Sequence, residues 1–379
     1  MKRSIYYQAF PDESCYSLLC SNVLPENSEK PKTFFLNIDR NRIESITGKA
    51  IHGQVFDYSG GMLIPKFVNA HAHLELSGFA EPIPWNGSFP DWIFEVMKYR
   101  FSSDYSLESA IGIGEKELHD SGTGVIYDII QPYGGISHSS GTWRFLELIA
   151  WNTSLAEENL SMAEQFLKQN RNVGLSPHAP YTICPRLLRE TIRLSKTYKV
   201  PLAIHLGETL EEIRLLREHG GPFFDMMRRV DQDYQPDETL LGDRPLYYLE
   251  LLAEADRCLV IHGNFFDEEE IRFLANHKNM TVVFCPVAHT YFEHAPYPIR
   301  RMLDLNVSVA LGTDSRASWP CGPLSMIAVV NTLLAQYPEV TMTEALSMAT
   351  TFGYQATGLQ PPFLMKGESL SNFNVLRQI

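Results

Sequence analysis

Between residues 62 and 350 the chain alternates short apolar runs with longer amphipathic stretches. The runs are MLIPKFVNAH, TGVIYDII, RFLELIAW, NVGLSPH, PLAIHLG, CLVIHG, TVVFCP and VSVALGTD. They are rich in β-branched residues and short enough to be strands. Segments such as LESAIGIGEKELHDSG, LAEENLSMAEQFLKQN and PRLLRETIRLSKTYK lie between them, with apolar residues at helical spacing. Strand alternating with helix predicts parallel strands and right-handed crossovers. Eight such units predict an α/β fold, a closed (β/α)8 TIM barrel. An open doubly wound sheet is the alternative, but no GxGxxG follows the first run.

The flanks have a different rhythm. Residues 1–61 alternate short apolar pieces (YSLLCSNVL, TFFLNI, GQVFDY) with turn-rich ones, and a like pattern returns in GESLSNFNVLRQI. This predicts a small β-sandwich domain built from both termini, 1–61 and 351–379, around a barrel at 62–350.

Composition adds boundaries. A chain of 379 residues with 44% apolar and 20% charged residues supports a large core without staples. Net charge is −13 and no Lys/Arg-rich stripe occurs, which argues against nucleic acid as a partner. The six cysteines form no CxxC pair and read as free thiols in a reducing compartment. No apolar h-region follows the basic start MKRSIYYQAFPDES, and no run is long enough to span a membrane. The expectation is a cytoplasmic protein acting on a small molecule, with a homo-oligomer left open.

The chemistry gathers at the C-terminal ends of the predicted strands. His71 and His73 end the first, His178 the fourth, His262 the sixth and Asp314 the eighth. His205 lies near the end of the fifth, with Glu208 three residues on. In a barrel these ends converge on one face, where active sites form. The HAH spacing puts both imidazoles on the same side of a strand, within reach of one ion. Imidazole and carboxylate suit zinc or iron. A metal activates water, and a nearby carboxylic acid such as Glu208 moves protons. Each piece has a plainer reading. HxH can be two unrelated histidines, Glu208 a helix N-terminal charge, His262 a satisfied core histidine and Asp314 a turn former. Their shared position at strand ends favours one common metal site.

In order and over most of the chain, these motifs resemble the amidohydrolase superfamily. The likeness runs from GMLIPKFVNAHAHLE through SPHAPYT, HLGETLEE, HGNFFDEEEI and FCPVAHT to ALGTDSRAS and ALSMATTFG. It is nearest the deaminase branch, with methylthioadenosine/S-adenosylhomocysteine deaminases, guanine deaminases and chlorohydrolases. NAHAHLELS and the following FPDW resemble aminodeoxyfutalosine deaminases. The resemblance implies metal ligands at His71, His73, His205 and Asp314, and a proton-shuttling acid at Glu208. It implies that His262 orients the attacking water, that Asp314 takes that water's proton, and that His178 contacts substrate. No lysine stands at the third or fourth strand end (ELIAW, SPHAP), which implies one divalent ion, zinc first and iron second. The implied reaction is hydrolytic deamination of an aminated purine-like ring. Hydrolysis of another C–N or a C–halogen bond is the alternative. A non-catalytic barrel would carry eroded ligand positions, and none is eroded here.

Three features depart from the pattern or add to it. Lys66 stands where a glycine is expected. CPVAH at 285–289 replaces a CPRS-type run and removes an arginine-like contact. His289, with Tyr291 and His294, then reads either as a different substrate pocket or as an aromatic loop. Glu75 reads as a contact to a ring nitrogen or as a structural acid.

Overall fold

A computed structural model describes residues 4–24, 33–102, 106–132 and 141–378. Eight parallel strands form the barrel: Phe67–His73, Thr123–Ile130, Thr142–Leu148, Val173–Pro177, Leu202–Leu206, Cys258–His262, Met280–Phe284 and Val309–Leu311. Each pairs with its sequence neighbour. The ring closes because the eighth strand continues past Gly312 to Asp314–Ser315, which pairs in parallel with Ala72 and His73. The central strands are buried along their whole length, as strands covered on both faces must be. Gly312 lies at the closure. A Cβ there would come within 2.9 Å of His71 Cβ and 3.1 Å of Cys285 Sγ, so only glycine allows the approach. Among the described residues no helix is long and apolar enough to cross a membrane.

The termini build two four-stranded sheets that share one core, formed by residues such as Tyr16, Leu18, Phe34, Leu36, Leu63, Phe373 and Val375. The C-terminal strand Phe373–Gln378 pairs antiparallel with Ile5–Gln8 on one side and Met62–Pro65 on the other. This differs from the division expected at 61/62 and 350/351. Met62–Pro65 belongs to the small sheet, because Leu63 is buried in its core while the barrel run starts at Phe67. At the other end, helix Thr351–Ala356 packs on the barrel. Tyr127 Oη donates to the Gly353 carbonyl at 2.9 Å.

Lys66 sits at the junction without strain. Its backbone N–H donates to the Asn372 carbonyl at 2.9 Å. Its side chain packs over Gly124, where a Cβ would meet Lys66 Cβ at 2.7 Å. The small residue needed for close approach is on the neighbouring strand instead.

Two connections cover the C-terminal face of the barrel. The first runs from the first strand to the second and carries helices Phe89–Arg100 and Leu107–Asp120. Ser88 caps Phe89–Arg100 by accepting the Asp91 N–H at 3.3 Å. The other follows the fifth strand and carries helices Leu210–Glu218 and Pro222–Val230.

Candidate active site

The strand ends bring six of the expected side chains together. His71 Nε2 lies 3.4 Å from Asp314 Oδ1, and His73 Nε2 lies 4.0 Å from the same oxygen. His73 Nε2 and His205 Nε2 are 3.2 Å apart. Ligand atoms of His71, His205 and His262 fall within 4.8 Å of one another, as do those of Glu208, His262 and Asp314. Both ring nitrogens of His71 and Nδ1 of His73 are buried without a hydrogen-bond partner. Such orphaned polar atoms are costly and usually signal a bound group.

The electrostatics suit a cation. Burial, reinforced by His71, pulls His73 and His205 well below the usual imidazole range. Burial takes His262 down to about 3 against the pull of Asp314. Neutral imidazoles expose the lone pair that a metal needs. Burial alone would raise Asp314, but the imidazoles facing it, His71 first and then His262 and His73, hold it at about 2. The donor set fits one divalent ion.

Local backbone sets these directions. His205 Nδ1 lies 3.2 Å from the His178 carbonyl, which turns Nε2 toward the cluster. His262 (φ 72°) and Asp314 (φ 61°) both hold the left-handed conformation, a strained choice for non-glycine residues and a feature of functional sites. Gly207 (φ 66°) makes the turn before Glu208, where the Phe266 ring would stand 2.8 Å from any Cβ. Glu212 then accepts the Gly207 and Glu208 N–H groups at 2.8 and 2.9 Å and locks that turn. Asn264 Nδ2 donates to the Glu208 carbonyl at 2.9 Å. The Glu208 carboxyl lies 3.1 Å from His262 Nε2. Burial first, then the charge of Asp314, raises it well above the carboxylate range. Both effects favour the protonated form, which suits a proton donor.

A cavity of about 580 Å³ opens over this cluster. Glu75 and His178 line it. Glu75 pairs with Arg100, and burial raises its carboxyl in spite of that cation. His178 stands 3.9 Å from Glu147, which accepts from Gln131. Phe89, Trp92, Val96 and Met97 of one helix face Met226, Met227 and Val230 of the other. His289 is absent from the lining. Phe284 leads into helix Pro286–Tyr291, which turns His289 against the rings of Phe284, Tyr297 and His294. Tyr291 and His294 likewise pack on Phe292 and not into the cavity.

Among the wall residues that the sequence reading did not single out are the charged or amide-bearing Arg100, Gln131 and Glu147. Glu147 had a signal, since it is the last residue but one of the third strand, as His178 is the first beyond the fourth. Arg100 and Gln131 had none, because their partners lie 25 and 16 residues away.

Comparison with known proteins agrees with this architecture. The sequence model of the amidohydrolase family matches residues 62–362. A 5-methylthioadenosine/S-adenosylhomocysteine deaminase of Pyrococcus furiosus is 28% identical over 83% of this chain and 74% of its own. An aminodeoxyfutalosine deaminase of Deinococcus radiodurans is 28% identical over 82% of this chain and 77% of its own. The crystal structure of Helicobacter pylori aminofutalosine deaminase with methylthio-coformycin superposes with a TM-score of 0.74, covering 94% of each chain at 20% identity.

Proposed function

The chain belongs to the amidohydrolase family and is a hydrolase of C–N bonds, and from that premise we infer that it deaminates an aminated purine-like ring carried by a nucleoside. The observation that carries this reading is Glu208, a buried acid 3.1 Å from His262 at the floor of a cavity roomy enough for a nucleoside. The relatives named for methylthioadenosine, S-adenosylhomocysteine and aminodeoxyfutalosine support the substrate class.

His71, His73, His205 and Asp314 would hold one divalent ion, zinc before iron by donor chemistry. No lysine at the third or fourth strand end is at hand to bridge a second. The ion, when bound, supplies Lewis-acid activation of water. Asp314, ionised down to about pH 2, accepts the proton of the attacking water. His262 hydrogen-bonds the incoming oxygen. As the carbon–oxygen bond forms, Glu208 gives its proton to a ring nitrogen. The proton held by Asp314 passes to the exocyclic amine, the carbon–nitrogen bond breaks and ammonia departs, and the proton of the new hydroxyl returns to Glu208 as the carbonyl forms. His178 and Glu75 contact the substrate from the cavity wall. The six free cysteines support a reducing, cytoplasmic setting.

The test is metal analysis of purified protein, followed by an ammonia-release screen. The panel is adenosine, methylthioadenosine, S-adenosylhomocysteine, aminodeoxyfutalosine, guanine and cytosine. A nucleoside should yield stoichiometric ammonia. Release of chloride or a substituted amine from a chlorinated or alkylamino ring, with no ammonia from the panel, would instead establish the alternative hydrolase.

A further inference from the structure

Glu147 has no part in the chemistry above, yet it is buried in the cavity wall beside a substrate-facing ring. It is the penultimate residue of the third barrel strand and is 3% exposed. Its Oε2 accepts from the Gln131 amide, which also hydrogen-bonds Glu75. Its Oε1 lies 3.9 Å from His178 Nε2. The other nitrogen of that ring, Nδ1, lies 2.7 Å from Thr182 Oγ1.

These contacts decide where the His178 proton sits. A hydroxyl can donate or accept, whereas an ionised carboxylate only accepts. A bare Nε2 lone pair facing Glu147 would be repelled, and an Nε2–H is attracted. The Thr182 hydroxyl has two acceptors in reach, His178 Nδ1 at 2.7 Å and the Ala179 carbonyl at 3.1 Å, which also takes the Thr182 N–H at 2.9 Å; the shorter contact is the one to Nδ1. A doubly protonated ring would carry the same Nε2–H, so the assignment holds in either charge state.

We propose that Glu147 is a positioning residue that fixes the Nε2–H tautomer of His178, so that the cavity offers a donor (His178) beside an acceptor (Glu147). The Arg100–Glu75–Gln131 chain anchors that carboxylate. A donor next to an acceptor selects a substrate edge with the reverse order: a ring nitrogen lone pair beside a hydroxyl or amino hydrogen. This rests on the deaminase reading of the same site.

The experiment uses metal-loaded protein labelled with 15N-histidine, with His178 assigned by its loss in His178→Asn. Ring shifts should show Nε2–H in the parent. Glu147→Gln, whose amide can donate to Nε2, should move the ring toward Nδ1–H with metal content unchanged. Thr182→Val keeps Glu147 and should keep Nε2–H. In kinetics, replacing the substrate's ring nitrogen with CH should cost the parent protein about 100-fold in kcat/KM and Glu147→Gln less than about 10-fold. The variant's loss on the natural ring should appear in KM more than in kcat, and Glu147→Asp should recover part of it. Unaltered His178 shifts in Glu147→Gln, or undiminished discrimination against the CH analogue, overturns the proposal. Should no nucleoside release ammonia, the deaminase reading falls while the ring shifts still decide the tautomer.

Discussion

The two ends of the cavity are made of different material. At the histidine end every functional group but Glu208 hangs from a barrel strand or its first residue beyond, and the groups press on one another within 4.8 Å. At the wall, helices Phe89–Arg100 and Pro222–Val230 present rings and thioethers, with a few paired charges among them. Strand ends are held by ladder hydrogen bonds on both sides, so their geometry is stiff and their titration can be forced far from normal. The helices are cantilevered over the barrel by connecting segments, and their faces can change without disturbing the floor. The reacting groups thus stand on the strand ends, and the helices add an apolar cover to the cavity.

That contrast can be broken in graded steps. The largest effect belongs to the histidine end. His73→Ala should lose its metal and return the reaction to background, on the order of 10⁶-fold or more. Metal analysis and circular dichroism check that the ion is lost and the barrel kept. Glu208→Gln should retain metal and lose about 10³-fold in kcat. Activity within tenfold of the parent would remove Glu208 from the proton transfer.

The wall should respond differently. Trp92→Ala should raise KM about 10- to 100-fold with little change in kcat, because it removes apolar contact common to ground and transition states. A fall in kcat alone would show that the wall shares in the chemistry. The smallest effect is on stability. Burial raises Glu212 to about 7. An acid raised on folding holds its proton more tightly in the folded chain. Its contribution is therefore full below the unfolded value near 4.5 and is lost as pH climbs through about 7. Glu212→Gln should flatten that slope, worth up to about 3 kcal/mol. Denaturant midpoints measured between pH 4 and 8 would reveal it, and an unchanged slope would mean that Glu212 does not titrate in that window.

The histidine end was legible because its information is local. HAH needs only the two-residue strand period, and HLGE, HGN and GTD each lie beside their own apolar run. The wall was legible in part. FPDW contributed only to the family resemblance, and nothing in FPDWIFEVMKYR says that Trp92 faces a cavity or that Arg100 meets Glu75. His289 shows the opposite failure. A histidine three residues past a strand-end CP looks placed for substrate, but the helix that CP starts turns it into the core.

By itself the sequence determined the order of strands and helices, the barrel they close into and the polar residues at the strand ends. Hydrophobic period and strand-end position belong to single elements, so each element reports them alone. Only the tertiary structure decided that Met62–Pro65 joins the terminal sheet, that Gly124 makes room for Lys66, and that Glu147 stands 3.9 Å from His178. Those facts depend on which neighbours closure brings together, and no single segment carries that information.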